Sequence, residues 1–274
     1  MKKKNVLPGF GLSMGYTIFY LSLVVLLPLS TLLFSPWEKG WDHFFASAFS
    51  PQVMAAYGLS FRTALFAALV NVVFGFLTAW ALVRYRFWGR KIVDSLVDLP
   101  FALPTAVAGI SLATLFSPAG WLGQYFHAWG IPVINTSTGI MIALVFIGFP
   151  FLVRTVQPVL EELEPEIEEA ALSLGASRWQ VFHKVILPNV APALLTGFTL
   201  SFARALGEYG SVIFIAGNLP FKTEIAPLLI MAKLDQFDYS GASSIALTLL
   251  GLSFLSLVML NFIQSRLTRR LGRG

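Results

Sequence analysis

Few side chains in this sequence carry charge where charge is costly, and two of them, Arg204 and Glu208, stand four residues apart inside an otherwise apolar stretch. On a helix that spacing places them on one face, where they can pair. Ionisable groups at membrane depth usually face a protein interior or a water-filled route. The pair therefore reads in two ways: as the border of a path, with Arg204 favouring a passing dianion, or as a salt bridge that fixes the helix against its neighbours. The residues alone leave both open. A bound anion must also leave, so an arginine without any partner would hold it too tightly.

The second concentration of polar chemistry is an island from Arg154 to Pro188, RTVQPVLEELEPEIEEAALSLGASRWQVFHKVILP, holding six of the fourteen acidic residues of the chain. Pro165 suits the first position of a helix, and Glu166, Glu168 and Glu169 favour the positive end of its dipole. Ile167, Ala170, Ala171 and Leu174 recur on one helical face. Gly175 is placed to end the helix in the left-handed conformation. Ser177 and Gln180 then have the spacing of a capping box, and Trp179, Phe182 and Ile186 line one side of a second short helix that Pro188 is expected to stop. The island thus predicts helix, sharp bend, helix. An interfacial hairpin would share this pattern, but an acidic and weakly apolar first helix is ill suited to an anionic lipid surface.

The elements that hold these residues follow from composition. With 56% hydrophobic and 12% charged residues and a mean hydropathy of +0.74, the chain is an integral membrane protein. Apolar runs at Gly11 to Phe34, Thr63 to Val83, Leu99 to Ser117, Thr136 to Val153, Asn189 to Ala216 and Gly241 to Gln264 are each near the ~20 residues a helix needs to cross a bilayer. Barrel strands would be half as long and would alternate. The fold class is therefore all-α, with six transmembrane helices. Fourteen Lys and Arg fall on the side of the amino terminus and the island, against Lys39, Lys222 and Lys233 on the other. The positive-inside bias puts both termini and the island in the cytoplasm. Arg62 is read at a helix edge. MKKK precedes a run too long for a secretory signal and without a small-residue cleavage site, so the first span is read as retained.

Several chemistries are excluded. There is no cysteine, hence no disulfide, thiol nucleophile or thiolate metal site. His43, His127 and His183 lack ligand spacing, so no metal site is assigned. No G-x-x-x-x-G-K-[ST] loop is present, so the chain shows no nucleotide site of its own and no catalytic residue. Its basic residues are dispersed among loops rather than gathered as a nucleic-acid surface would require. The third run carries Pro100, Pro104 and Gly109, a candidate gate or a packing kink, since prolines free backbone carbonyls that a cavity or neighbours must satisfy. The aromatic outer loop SPAGWLGQYFHAWGIPVIN fits an interfacial belt or a docking surface. One membrane domain is expected, over 60–264, after an amino-terminal segment, first span and loop at 1–59 and before a basic, lipid-facing tail at 265–274.

Glu169-Ala170-Ala171, Gly175 and Val185-Ile186-Leu187-Pro188 resemble the EAA loop of type I ABC importer permeases, with Val185 standing for the usual isoleucine. LPFALPTAVAG, FPFLVRTVQPVLEEL, SFARALGEYGSVIFIAGN and FDYSGAS are further similar to the T-type permease subunits of sulfate/thiosulfate importers, and molybdate permeases share parts of these. The resemblance implies a subunit of an ATP-driven importer in a bacterial inner membrane. Glu169, Ala170, Ala171 and Gly175 would form a coupling helix seated in a cytoplasmic ATPase, which binds the ATP. The implied partners are a W-type permease paralogue, two ATPase copies, a periplasmic sulfate/thiosulfate-binding protein and membrane lipid. A proton-driven carrier is the competing reading, but its carboxylates would have to come from Glu208, already beside Arg204. A scaffold that moves nothing would not need a capped acidic helix.

Overall fold

The computed structural model describes residues 9–271, with side chains described as far as Arg266. Lys2, Lys3, Lys4 and Arg273, counted above for orientation, lie outside the described residues, as do the side chains of Arg269 and Arg270. Among the described residues there is no strand. In chain order the helices are α1 (Phe10–Trp37), α2 (Trp41–Ala48), α3 (Pro51–Arg84), α4 (Arg90–Val97), α5 (Leu99–Ala102), α6 (Thr105–Phe116), α7 (Gly123–Ala128), α8 (Ser137–Glu162), α9 (Pro165–Ser173), α10 (Arg178–Leu206), α11 (Ala226–Asp235) and α12 (Tyr239–Leu271).

The core is built around α8, which packs against both α3 and α10. Small residues let these backbones approach. Ala64, Ala67 and Ala68 of α3 meet Ile140, Ala143 and Leu144 of α8 and Phe202 and Ala205 of α10, the packing that replaces a hydrophobic driving force inside lipid. Leu152 of α8 is clamped on both sides. A Cβ at Gly75 would stand 2.5 Å from its Cδ2, and one at Gly197 would stand 2.8 Å from its Cδ1. Beside it Asn71 donates from Nδ2 to Ser201 Oγ at 3.0 Å, a polar tie between α3 and α10 that crosses next to Gly148. By contrast, no residue of α1 between Phe10 and Phe34 is buried.

Among the described residues five helices, α1, α3, α8, α10 and α12, are long and apolar enough to cross a membrane. The sixth expected span is broken. Leu103 is extended (φ −86°, ψ 135°) and Pro104 caps the start of α6, because a proline drives the residue before it out of the helical region. Of its two prolines only Pro104 interrupts; Pro100 is buried in the first turn of α5, where a missing N–H is no loss. With twelve residues, α6 covers only ~18 Å at 1.5 Å per residue.

Further boundaries differ from expectation. Pro188 does not stop the second island helix, which runs on as α10. A π turn at Phe182–Ile186 precedes it, with the Leu187 N–H donating to Phe182 O, and the widened turn gives the proline ring room against the preceding carbonyls. The same device, Ser22–Leu26 before Leu27 and Pro28, sits in α1. At its other end α10 stops at Leu206, ten residues short of the predicted Ala216, and Gly207 to Ser211 is irregular. Arg62 is not at a helix edge either, since α3 begins eleven residues earlier, at Pro51. The tail from 265 continues α12 as helix to Leu271.

Candidate functional site

The island folds into a compact, capped unit. Pro165 opens α9, with Glu166 and Glu168 in its first turn. Gly175 takes φ 85°, donates its N–H to Leu172 O at 2.9 Å, and is followed by Ala176 donating to Ala171 O at 3.1 Å. These two bonds satisfy the carbonyls that a helix end leaves open. Ser177 Oγ then accepts from the Gln180 N–H while Gln180 Oε1 accepts from the Ser177 N–H. Glu169 and Ala170 are exposed, and Ala171 is half-buried against the bundle. Beside the bend lies a hollow of about 340 Å³ lined by Ala171, Leu174, Gly175, Gln180 and Lys184. Leu174 stands over it almost fully exposed, at 89%.

The second candidate lies far from this unit. Asn71 is thirteen residues from Arg84 along α3, ~20 Å at helical rise. Its partner Ser201 precedes Arg204 by three residues, so Arg204 lies well away from the end of α3 that meets the island. Arg204 Nη1 meets Glu208 Oε2 at 2.6 Å. The two do not share a helix face, because Glu208 lies beyond the Gly207 cap. Its other oxygen accepts from the Ser211 N–H at 2.9 Å and from Ser211 Oγ at 3.0 Å. The side chains are 34% and 2% exposed, respectively. Glu208 is therefore consumed in fixing the turn, whereas Arg204, one-third exposed, has no further hydrogen-bond partner among the described residues.

The broken helices converge here. A Cβ at Gly109 of α6 would lie 2.5 Å from Ser211 O, and Gly210 packs on Thr105 Oγ1. Gly109 thus joins Arg204 and Glu208 in one constellation. Pro104 contributes the break that starts α6, and Pro100 sits apart in α5, which packs on α8 through Phe101 and Phe151, 5.0 Å between ring centroids. Irregular backbone at membrane depth is tolerated where protein covers it or where it lines a cavity, and paired helix breaks mark the binding sites of many transporters.

A third cluster is absent from the sequence reading, which counted Arg154 only for orientation. Arg154 of α8 donates from Nε and Nη2 to the two carboxylate oxygens of Asp98, at 2.8 and 2.6 Å. Nη1 reaches Asp94 Oδ1 at 2.6 Å and Gln157 Oε1 at 2.7 Å, and Nη2 reaches Asp94 O at 2.8 Å. All five guanidinium donors are used. The Arg154 hydrogen bond, helped by its charge, holds the Asp98 carboxyl below its usual range against the opposing effect of burial. The spacing of Asp94 in the strongly amphipathic α4 and Asp98 at its carboxyl-terminal cap was the available signal.

Comparison with known proteins gives the class. Residues 71–273 match the model of the family described as binding-protein-dependent transport system inner membrane component, and the chain belongs to that family. It is 51% identical over 98% of both chains to the sulfate transport system permease protein CysT of Escherichia coli K12. To the protein of the same name from Synechocystis it is 51% identical over 90% of this chain and 87% of that one. Among solved structures, a bacterial ABC transporter involved in import of the acidic polysaccharide alginate matches with a TM-score of 0.78 at 18% identity, covering 95% of this chain and 96% of the other. The MetNI methionine ABC transporter matches with a TM-score of 0.55 at 19% identity, over 81% and 99%. The fold is therefore that of ABC importer permeases, in a multi-pass inner membrane protein.

Proposed function

We propose that this chain is a permease subunit of an ATP-driven sulfate importer, forming half of the translocation path and taking its motion from a cytoplasmic ATPase through α9. The observation that carries the reading is the exposed, doubly capped α9 and bend, with Glu169 and Ala170 facing away from the bundle and Leu174 beside an open hollow. Short, rigid and acidic, it fits a protein socket better than a lipid surface. The near identity in length and half identity in sequence to CysT proteins supports sulfate, and thiosulfate as a chemical relative. The charge asymmetry supports cytoplasmic termini and a cytoplasmic α9.

Arg204 suits the role of anion guide. It is one-third exposed with donors to spare while Glu208 moderates its charge, and the start of α6, where no side chain caps the free N–H groups, adds the positive end of a helix dipole near the same turn. Because one such bundle does not surround a path, the assembly pairs this chain with a W-type paralogue, two ATPase copies and an external binding protein. Glu169→Lys is expected to leave the chain inserted but to abolish sulfate-stimulated ATP hydrolysis in the reconstituted complex. Unchanged hydrolysis removes the coupling role. Molybdate or another oxyanion is the second reading, favoured by the shared Arg204-Ala-Leu-Gly-Glu208 element. Uptake of sulfate, thiosulfate and molybdate in cells lacking the chain separates the two.

A further inference from the structure

The coupling unit is attached by chain to α8 and α10, yet the structure ties it to a third span. Arg84, the last residue of α3, forms an ion pair with Glu168 of α9. Both side chains are largely buried, at 18% and 23% exposure. The guanidinium also lies over the Trp80 ring, 5.6 Å from its centroid, and its Nε is buried without an acceptor. Glu168 and Glu169 are neighbours with opposite aims, Glu168 turned in to α3 and Glu169 turned out. The other arm of the unit grips the same helix. Phe182 packs edge-on against Phe76 and Trp80, each 6.1 Å between centroids, and Trp179 stacks on Phe182.

We infer that Arg84 and Glu168 form a mechanical latch that carries displacement of α9 into α3, so that α3, α8 and α10 move with the coupling unit as one body. The inference rests on the coupling role proposed for α9. Aromatic contacts alone can slide, whereas a part-buried ion pair resists separation because either partner alone would be left as a desolvated charge. Arg84 and Glu168 are positioning residues on this view; neither touches the transported ion.

The test uses the reconstituted complex. Arg84→Glu and Glu168→Arg, each alone, should cut sulfate taken up per ATP hydrolysed by about tenfold, an ordinary size for coupling between sites, and the double exchange should restore most of it. The chain has no cysteine, so Arg84→Cys with Glu168→Cys can be bridged selectively within it by a short bis-methanethiosulfonate. Bridging should preserve uptake, since the latch stays closed throughout the cycle. Loss of uptake on bridging, or single exchanges that leave the ratio unchanged, overturns the latch. Should the single exchanges fail to accumulate, the bridged protein decides. Glu169→Lys keeps the two levels apart: if it is harmless the coupling role itself fails, and if it is disabling while Arg84→Glu is neutral only the latch fails.

Discussion

Arg204 and Arg154 are distributed in opposite senses. At Arg154 the arginine is saturated, with all five donors engaged, and its carboxylate partners Asp94 and Asp98 remain 42% and 48% exposed. At Arg204 the carboxylate is saturated and buried, and the arginine is left with capacity to spare. A cation whose donors are all committed can hold helices together but has nothing to offer a ligand. One whose counter-ion is fixed by a third group can offer hydrogen bonds without being stripped of its charge balance. Bonding capacity left over, rather than the presence of an ion pair, is therefore what separates the path role proposed for Arg204 from the bracing geometry at Arg154.

This contrast can be broken in three places. Arg204→Gln should have the largest effect, lowering sulfate uptake about a hundredfold, the size expected when hydrogen bonds to a charged group are lost. Because Glu208 is left buried without its partner, the Tm of the purified complex should fall as well; a lower Tm with normal uptake would make Arg204 the brace. Arg154→Leu should instead cost about 2 kcal/mol of stability because two carboxylates lose their shared partner. Thermal unfolding in detergent reads it out, and an unchanged Tm would contradict the assignment. The smallest effect belongs to Asp238, which pairs with Lys39 at 3.2 Å and Lys233 at 3.5 Å and accepts from the Gly241 N–H.

Burial alone would raise the Asp238 carboxyl, but the hydrogen bonds from Lys39 and Gly241 and the charges of Lys39 and Lys233 bring it below the usual range. Its contribution is therefore fully present above its unfolded pKa of roughly 3.9 and is lost as pH falls through the lower folded value. With Lys39 half exposed, this amounts to less than about 1 kcal/mol. Asp238→Asn should flatten the acid limb of the Tm profile by about that much and leave uptake at neutral pH unchanged. An unaltered acid limb would show that the pair contributes nothing.

The parts of the molecule legible in the sequence are those that local chemistry decides. Gly175 had to adopt positive φ for α9 to end, and Ser177 with Gln180 could cap the next helix without outside help. Both devices lie within a few residues, and both stand where the spacing placed them. Pro188 misled because a proline's effect depends on the turn before it, and a π turn has no strong local signature. The end of α10 at Leu206 was hidden for another reason: residues 207–216 are apolar enough to continue a helix, and the irregular path goes with contacts to Gly109 of α6 and with Glu208 capping Ser211. Arg154 with Asp94, and Arg84 with Glu168, join residues 60 and 84 positions apart. No window of sequence contains such pairs.

The survival of helix through Pro188 has a geometric consequence. Arg178 to Leu206 is one rod of 29 residues, ~43 Å long at helical rise. A swing of only about 5° at its base sweeps the far tip through roughly 4 Å, more than the radius of a hydrogen-bonded contact. Arg204 rides on that tip, so in the path role proposed for it an angular change too small to disturb the packing at the base of the rod would be enough to make or unmake a hydrogen bond to an ion.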